Sequence, residues 1–432
     1  MNKKTSTTTT AAKNTGLYRI VWKWHFLASL LVLPFMVFMA TTGIINLFHD
    51  DLNEVIYADK LQITPGAERL NYEDLAAAAQ QTVSGRISKY FVSDQPERAM
   101  VFEVTSPEDQ ISVVWVNPYT AKVLGAQLKE DMPLEFIERL HISFNAGPVG
   151  RYMNEALTGW ALVMFATGLY LWWPRGRRTW KDTVSAPKGK GRPWWRSLHL
   201  LIGGAAVIIV TPLLFSGLFW SPVWGDAYLK LQLSMKHFSP AIAYGGKPVF
   251  AQSKEGPIMP MDELISRARK SGLKGDLEGR PPVAPKFSLL IRTVEATPVP
   301  DQVELHLDTR TGETLRRATY DMYPAMAWFR SMMARLHVGS LWGSMSIVLN
   351  LTAALLILAL SVTGFVAWWK RRPSGSLGIP TNPKSVQLGW GVVTIVAVMG
   401  VFYPTVGITL LIVLALDWLL FRRVGWFQAA GA

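Results

Sequence analysis

The sequence predicts a polytopic α-helical membrane protein. It has four core transmembrane helices, a C-terminal transmembrane hairpin and two extramembrane α+β domains, arranged as an internal parallel two-fold repeat. Three observations carry this. Half of the 432 residues are hydrophobic and only 17% are charged, against about 25% in soluble chains. Four apolar runs approach the ~20 residues that a bilayer core demands. Two long polar segments each end on the same Arg-Leu-His motif, Arg139-Leu140-His141 and Arg335-Leu336-His337.

Residues 1–24 carry five Lys/Arg and no acid, and read as a cytoplasmic N-terminus under the positive-inside rule. The first span is 25–49. Its apolar run of 23 residues exceeds the ~7–15 of a signal-peptide core, and no A-x-A site follows, so it reads as an uncleaved anchor. Residues 50–151 form the first outer domain: a helix over 73–90, strands at 99–104 and 111–116, the turn Asn117-Pro118-Tyr119-Thr120, then Lys122-Val123-Leu124. The second span is 152–173. The loop 174–197 holds eight Lys/Arg and one acid, a cytoplasmic signal. The third span, 198–220, leads into the second outer domain, 221–345. Its helix is 261–270, its strands are 287–294 and 302–307, and its turn is Asp308-Thr309-Arg310-Thr311-Gly312. The fourth span is 346–369, and a basic loop, 370–387, follows. The 34 apolar residues of 388–421 would make a helix of about 51 Å, too long for a ~30 Å core. With Pro404 and Gly407 at the middle they read as two short helices turning at 403–407. The C-terminus, 422–432, returns to the cytoplasm. Asp417 reads as a snorkelling acid near Arg422 and Arg423.

The net charge of +13 follows from these short loops, so no nucleic-acid partner is implied. The absence of cysteine excludes disulfides, iron–sulfur clusters, covalent haem and thiolate zinc sites. No G-x-G-x-x-G or Walker motif is present, so any electron donor is a separate molecule.

The segments leading into the second and fourth spans align without gaps at an offset of 196 residues, and the first and third spans match more loosely. Beyond Arg-Leu-His, Asn154 matches Asn350, Thr167-Gly168 matches Thr363-Gly364, and Trp172-Trp173 matches Trp368-Trp369. His25 and His199 each open a helix, and Gly43 and Gly217 each lie 18 residues later. Two copies in the same orientation imply a pseudo-two-fold axis along the membrane normal.

The run Leu17-Tyr18-Arg19-Ile20-Val21-Trp22-Lys23-Trp24-His25, together with Thr42-Gly43, both turns, both Arg-Leu-His motifs and both Gly…Trp-Trp helix ends, resembles the PepSY-associated transmembrane family over residues ~17–372. The first turn departs from the usual Asp-Pro-x-Thr-Gly at Asn117 and Ala121. The resemblance implies a bacterial inner-membrane location and PepSY-like outer domains. It also implies a role like that of the iron-regulated, FoxB-like siderophore reductases: transmembrane electron transfer that reduces a ferric siderophore, or another ferric chelate, in the periplasm. PepSY domains are also linked to protease inhibition, so the alternative is a non-enzymatic protein that binds or regulates a periplasmic protein or peptide.

The histidines give a separate argument. A two-fold axis would bring His25 and His199 to mirrored positions at the cytoplasmic face, and His141 and His337 likewise at the outer face. Paired neutral imidazoles suit bis-His b-type haem, so two haems b are expected. Small residues four positions on, Ser29 and Gly203, would admit a porphyrin. Arg19, Lys23, Arg196, Arg139, Arg335 and Arg151 would meet propionates. His49, without a counterpart in the repeat, would replace a ligand of the outer haem or act near substrate. Taken singly, each histidine also reads as an interfacial polar residue, the basic clusters as topology signals, and the Trp pairs as interfacial anchors. His237 and His306 read as surface residues.

Overall fold

The computed structural model describes residues 5–175, 179–187, 189–242, 245–253, 255–294 and 301–374, with residues 378, 397–398, 400–416 and 419. In chain order the elements are α1 (Thr5–Leu47), α2 (His49–Ile56), α3 (Ala58–Leu61), α4 (Tyr72–Thr82), β1 (Arg86–Val92), β2 (Met100–Thr105), β3 (Ile111–Val116), β4 (Val123–Leu128), α5 (Pro133–Ser143), α6 (Gly147–Trp172), α7 (Trp180–Val184), α8 (Arg192–Gly217), α9 (Trp224–Ser234), α10 (Met261–Lys270), β5 (Leu277–Arg280), β6 (Leu289–Thr293), β7 (Val303–Leu307), β8 (Thr314–Thr319), α11 (Ala325–Val338), α12 (Ser344–Trp369) and α13 (Pro404–Leu416). They fall into a helical unit drawn from Met1–Ile44, His141–Tyr228 and Leu349–Ala432, and a sheet unit drawn from Ile45–Leu140 and Leu229–Val348.

In the helical unit, α1, α6, α8 and α12 share one core. Val32, Phe35, Met36 and Ala40 meet Ala161, Ala206, Val210, Ala353, Ala354 and Ile357. Alanine supplies half of these positions because helices in lipid associate through close packing of small residues. Large apolar side chains such as Leu31, Ile208, Leu355 and Leu411 point outward instead, the inverse of a soluble bundle. Among the described residues, three helices are long and apolar enough to cross a membrane: Gly16–Leu47, Arg192–Trp220 and Ser344–Trp369. Helix α6 is also 26 residues long but carries Glu155, which is buried. Its carboxylate accepts from the backbone N–H groups of Val223 (2.8 Å) and Trp224 (3.1 Å) at the start of α9. A buried anion there meets the unsatisfied donors of a helix N-terminus, and it makes α6 less apolar than the other three.

The fifth apolar stretch is helical at 397–398 and 400–402, breaks at Tyr403, and resumes as α13. A Cβ on Gly407 would lie 2.6 Å from the carbonyl oxygen of Gly400. Residues seven apart on a straight helix are separated by about 10 Å, so the chain turns back between them. Helix α13 packs on α6, where Gly159 faces Val406 and the Trp160 indole donates to Thr409 Oγ1 at 2.9 Å. Asp417, Arg422 and Arg423 lie outside the described residues, as do 388–396.

The sheet unit holds a single eight-stranded antiparallel sheet in the order β4-β3-β2-β1-β5-β6-β7-β8. Two four-stranded meanders join where Tyr90, Phe91 and Val92 of β1 pair with Gly279, Glu278 and Leu277 of β5. Helices α4 and α10 cover one face through Leu75, Ala76, Ala79, Leu264 and Ala268, over a core that includes Tyr90, Phe102, Val114, Leu289, Ile291 and Leu305. The two outer segments are therefore halves of one sheet rather than separate α+β domains. The predicted helix 73–90 ends at Thr82, and β1 occupies the rest. Strands β5 and β8 went unpredicted, while α10 spans the predicted 261–270.

Both turns between the third and fourth strands of each meander are built alike. The Asn117 and Asp308 side chains accept from the N–H two residues on, at 2.9 Å each. The N–H of Ala121 and of Gly312 bonds back to the carbonyls of Asn117 (3.0 Å) and Asp308 (2.8 Å). Asp308 also accepts from the N–H groups of Gln252 and Ser253, both at 2.9 Å. Burial pushes its carboxyl up, but the backbone donors outweigh this and hold it below the ordinary carboxylate range.

Candidate functional site

Three of the four predicted histidines are held by one recurring device. His25 on α1 has Nδ1 3.0 Å from Thr167 Oγ1 on α6. His199 on α8 has Nδ1 3.1 Å from Thr363 Oγ1 on α12. His141 on α5 has Nδ1 2.9 Å from Thr42 Oγ1 on α1. Each threonine hydroxyl donates to the carbonyl four residues earlier on its own helix: Thr167 to Val163 (2.9 Å), Thr363 to Ala359 (2.7 Å) and Thr42 to Phe38 (2.9 Å). The hydroxyl proton is thereby committed, and the oxygen accepts from the ring Nδ1–H. This tautomer puts the lone pair on Nε2, the pattern of an imidazole prepared as a ligand.

The residue after each threonine is glycine, and the ring lies against it. A Cβ on Gly168, Gly364 or Gly43 would stand 3.3, 3.2 or 3.2 Å from Cε1 of His25, His199 or His141. A side chain there would press on the imidazole, so Thr-Gly sets both its hydrogen bond and its approach. His25 and His199 both lie in the helical unit. His337 lies in the sheet unit, half-buried near the end of α11.

The small residues expected to make room behave differently. Ser29 bonds back to the Phe26 carbonyl at 2.7 Å. A Cβ on Gly203 would meet only Leu360, at 3.7 Å. The tight approach is at Gly204, where a Cβ would meet the Trp172 ring at 2.7 Å.

Among the cations, Arg19 and Arg196 are exposed and Lys23 is half-buried. Arg139 donates to the Glu130 carbonyl at 2.6 Å, and Arg151 to that of Trp220 at 3.1 Å. Arg335 is buried, with Nε 3.4 Å from Ser331 Oγ. Two further cations were not anticipated. Arg371 sits over Trp22 (4.7 Å) and Phe26 (4.9 Å). Its repeat mate Arg175 sits over Tyr170 (3.9 Å) and Tyr18 (5.7 Å). Extending the 196-residue offset two positions beyond the Trp pairs would have found both.

His306 is not a surface residue. It is 1% exposed on β7, with Nδ1 2.9 Å from Ser288 Oγ and Nε2 3.0 Å from Glu304 and 3.1 Å from Arg316. These contacts satisfy it within the sheet. His49 groups with Glu135 and Glu138, one ligand atom of each lying within 4.8 Å of the others.

Apolar helices around a small-residue core, in a chain that also folds a covered antiparallel sheet, define a membrane-embedded protein with a folded extramembrane portion. The family model described as PepSY-associated TM region matches residues 22–371. The chain belongs to that family, as its motifs implied. No curated protein matches it.

Proposed function

We propose that the protein carries electrons across the bacterial cytoplasmic membrane and reduces a ferric siderophore, or another ferric chelate, on the periplasmic side. The observation that carries this reading is the repeated Thr-Gly mounting of His25 and His199 in the helical unit. A pair of imidazoles tied at Nδ1 in apolar surroundings fits the iron of a b-type haem, and no thiolate competes because the chain has no cysteine. His25 with His199 would hold one haem, His141, mounted in the same way, would be a ligand of a second, and such groups, when bound, supply reversible one-electron transfer.

The rest falls to the chain's own residues. Thr167, Thr363 and Thr42 fix ring orientation and the Nδ1 proton. Glycines 168, 364 and 43 set how closely each ring approaches its helix. Arg371, stacked on Trp22 and Phe26, and Arg175, stacked on Tyr18 and Tyr170, would neutralise anionic groups of the haem. Helix α6 completes four core spans, with both termini and the basic loops in the cytoplasm. The halves act as a parallel repeat, and the sheet offers a bulky soluble acceptor its surface. The substrate gains one electron per ferric ion. The ferrous product is released because hard oxygen chelators hold it less tightly. The donor is a separate reductant on the cytoplasmic side.

Visible spectroscopy of the purified protein tests this. The expected result is a Soret band with sharpened α and β bands on adding dithionite, and loss of about one haem per chain in His25→Ala or His199→Ala. A colourless preparation from haem-replete cells overturns the reading in favour of a non-enzymatic PepSY protein that binds a periplasmic protein or peptide.

A further inference from the structure

His49 opens α2, and Glu135 and Glu138 stand three residues apart on one face of α5. One ligand atom from each of the three lies within 4.8 Å of the other two. Three ligands about 2.0–2.2 Å from a shared ion stand roughly 3–4.4 Å from one another, so rotation of the glutamate side chains that shifts their carboxylates by about 1 Å closes the set. Asp50 Oδ1 is 3.2 Å from His49 Nδ1, the position of the carboxylate that orients a metal-binding imidazole. Asn53 Nδ2 rests 3.3 and 3.4 Å from the ring nitrogens. Lys129 is 3.7 Å from Glu135 but closer to Glu103, at 2.8 Å, so it does not saturate the glutamate.

We propose that His49, Glu135 and Glu138 form a binding site for a divalent first-row cation, and that its cargo is the ferrous ion released by reduction. The cation site stands on these residues; its cargo rests on the reductase reading above. One imidazole and two carboxylates neutralise a 2+ ion and leave positions for water. Such a mixed nitrogen–oxygen set suits Fe(II) and Mn(II), whereas a siderophore's all-oxygen cage favours Fe(III). Glu138 also lies one helical turn before His141 on α5, about 4.5 Å along the axis. An ion freed near that histidine has a carboxylate within one turn.

The test uses the full-length protein in detergent, stripped of metal, with Mn(II) as a redox-inert probe read by electron paramagnetic resonance. One Mn(II) bound per chain, displaced by Fe(II), is the expected result. Glu138→Gln, Glu135→Gln and His49→Ala should each weaken binding at least ~10-fold. Glu138 is exposed, so its isosteric variant keeps the fold, checked by an unchanged melting temperature. No Mn(II) binding by the wild type, or equal binding by all three variants, overturns the site. A protein that binds Mn(II) at these residues yet holds no haem keeps the cation site and loses the ferrous cargo with the reductase reading.

Discussion

Ala121 holds φ at +55°, in the left-handed region that costs an L-residue with a Cβ about 1–2 kcal/mol. Its partner in the second meander, Gly312, sits at +66° without that cost. The first turn keeps its shape because Asn117 supplies the same side-chain and backbone bonds as Asp308. Replacing Ala121 with Gly should therefore stabilise the sheet unit by about 0.5–1 kcal/mol, net of the added freedom of the unfolded chain. A higher melting temperature for A121G is the expected readout, and an unchanged or lower one would show that the turn is not strained. The sequence already marked Ala121 as a departure from its motif. It also marked Thr167-Gly168 and Thr363-Gly364 as repeated pairs. It did not reveal that each pair grips a histidine 142 or 164 positions away, because spacing along a chain carries no information about which helix lies alongside.

Strand β5 is only four residues, Leu-Glu-Gly-Arg, with no alternation and a glycine inside, so no local pattern marks it. Its reason for being a strand is β1. The Tyr90 ring lies across Gly279, where any Cβ would fall 1.9 Å from the tyrosine Cζ, an aromatic side chain covering a cross-strand glycine. Beside it, Glu278 is paired with Arg280 (2.5 Å) and Arg292 (2.7 Å). Burial pushes its carboxyl up, but the two guanidiniums prevail and hold it below the ordinary carboxylate range. A carboxyl depressed by folding contributes stability above its unfolded value of about 4.3, and this is lost as pH falls through the folded value. The melting temperature of the wild type should therefore drop steeply below about pH 4. Glu278→Gln should be less stable at neutral pH and show a flatter acid limb. Parallel acid limbs in the two proteins would assign that loss to other carboxylates. The helices α4 and α10 were legible because their apolar spacing is local; β1 was hidden by the alanine-rich run before it.

For the molecule as a whole, the composition made membrane helices legible, and the outer segments were rightly read as folded. Their union into one sheet was not legible, since backbone pairing between β1 and β5 leaves no motif. The orientation rests on the Lys/Arg of the short loops, eight of them in 174–197. Reporter fusions after Trp173 and after Trp369 should register as cytoplasmic, and fusions near residues 120 and 310 as periplasmic. A periplasmic signal from 180–190 would invert the arrangement.

The β1–β5 seam also sets a timetable for biogenesis. Leu277 follows Val92 by 185 residues, with α6 and α8 in between. At about 5–20 residues per second, the ribosome needs roughly 10–40 s to deliver the second meander after the first. Throughout that interval β1 is an open edge, able to pair with any extended chain it meets. Each newborn molecule thus passes through a half-built stage in which the first meander waits for its partner while α6 and α8 are still being synthesised. During that waiting time the unpaired edge of β1, rather than any edge of the completed sheet, is the surface most open to pairing with a neighbouring chain.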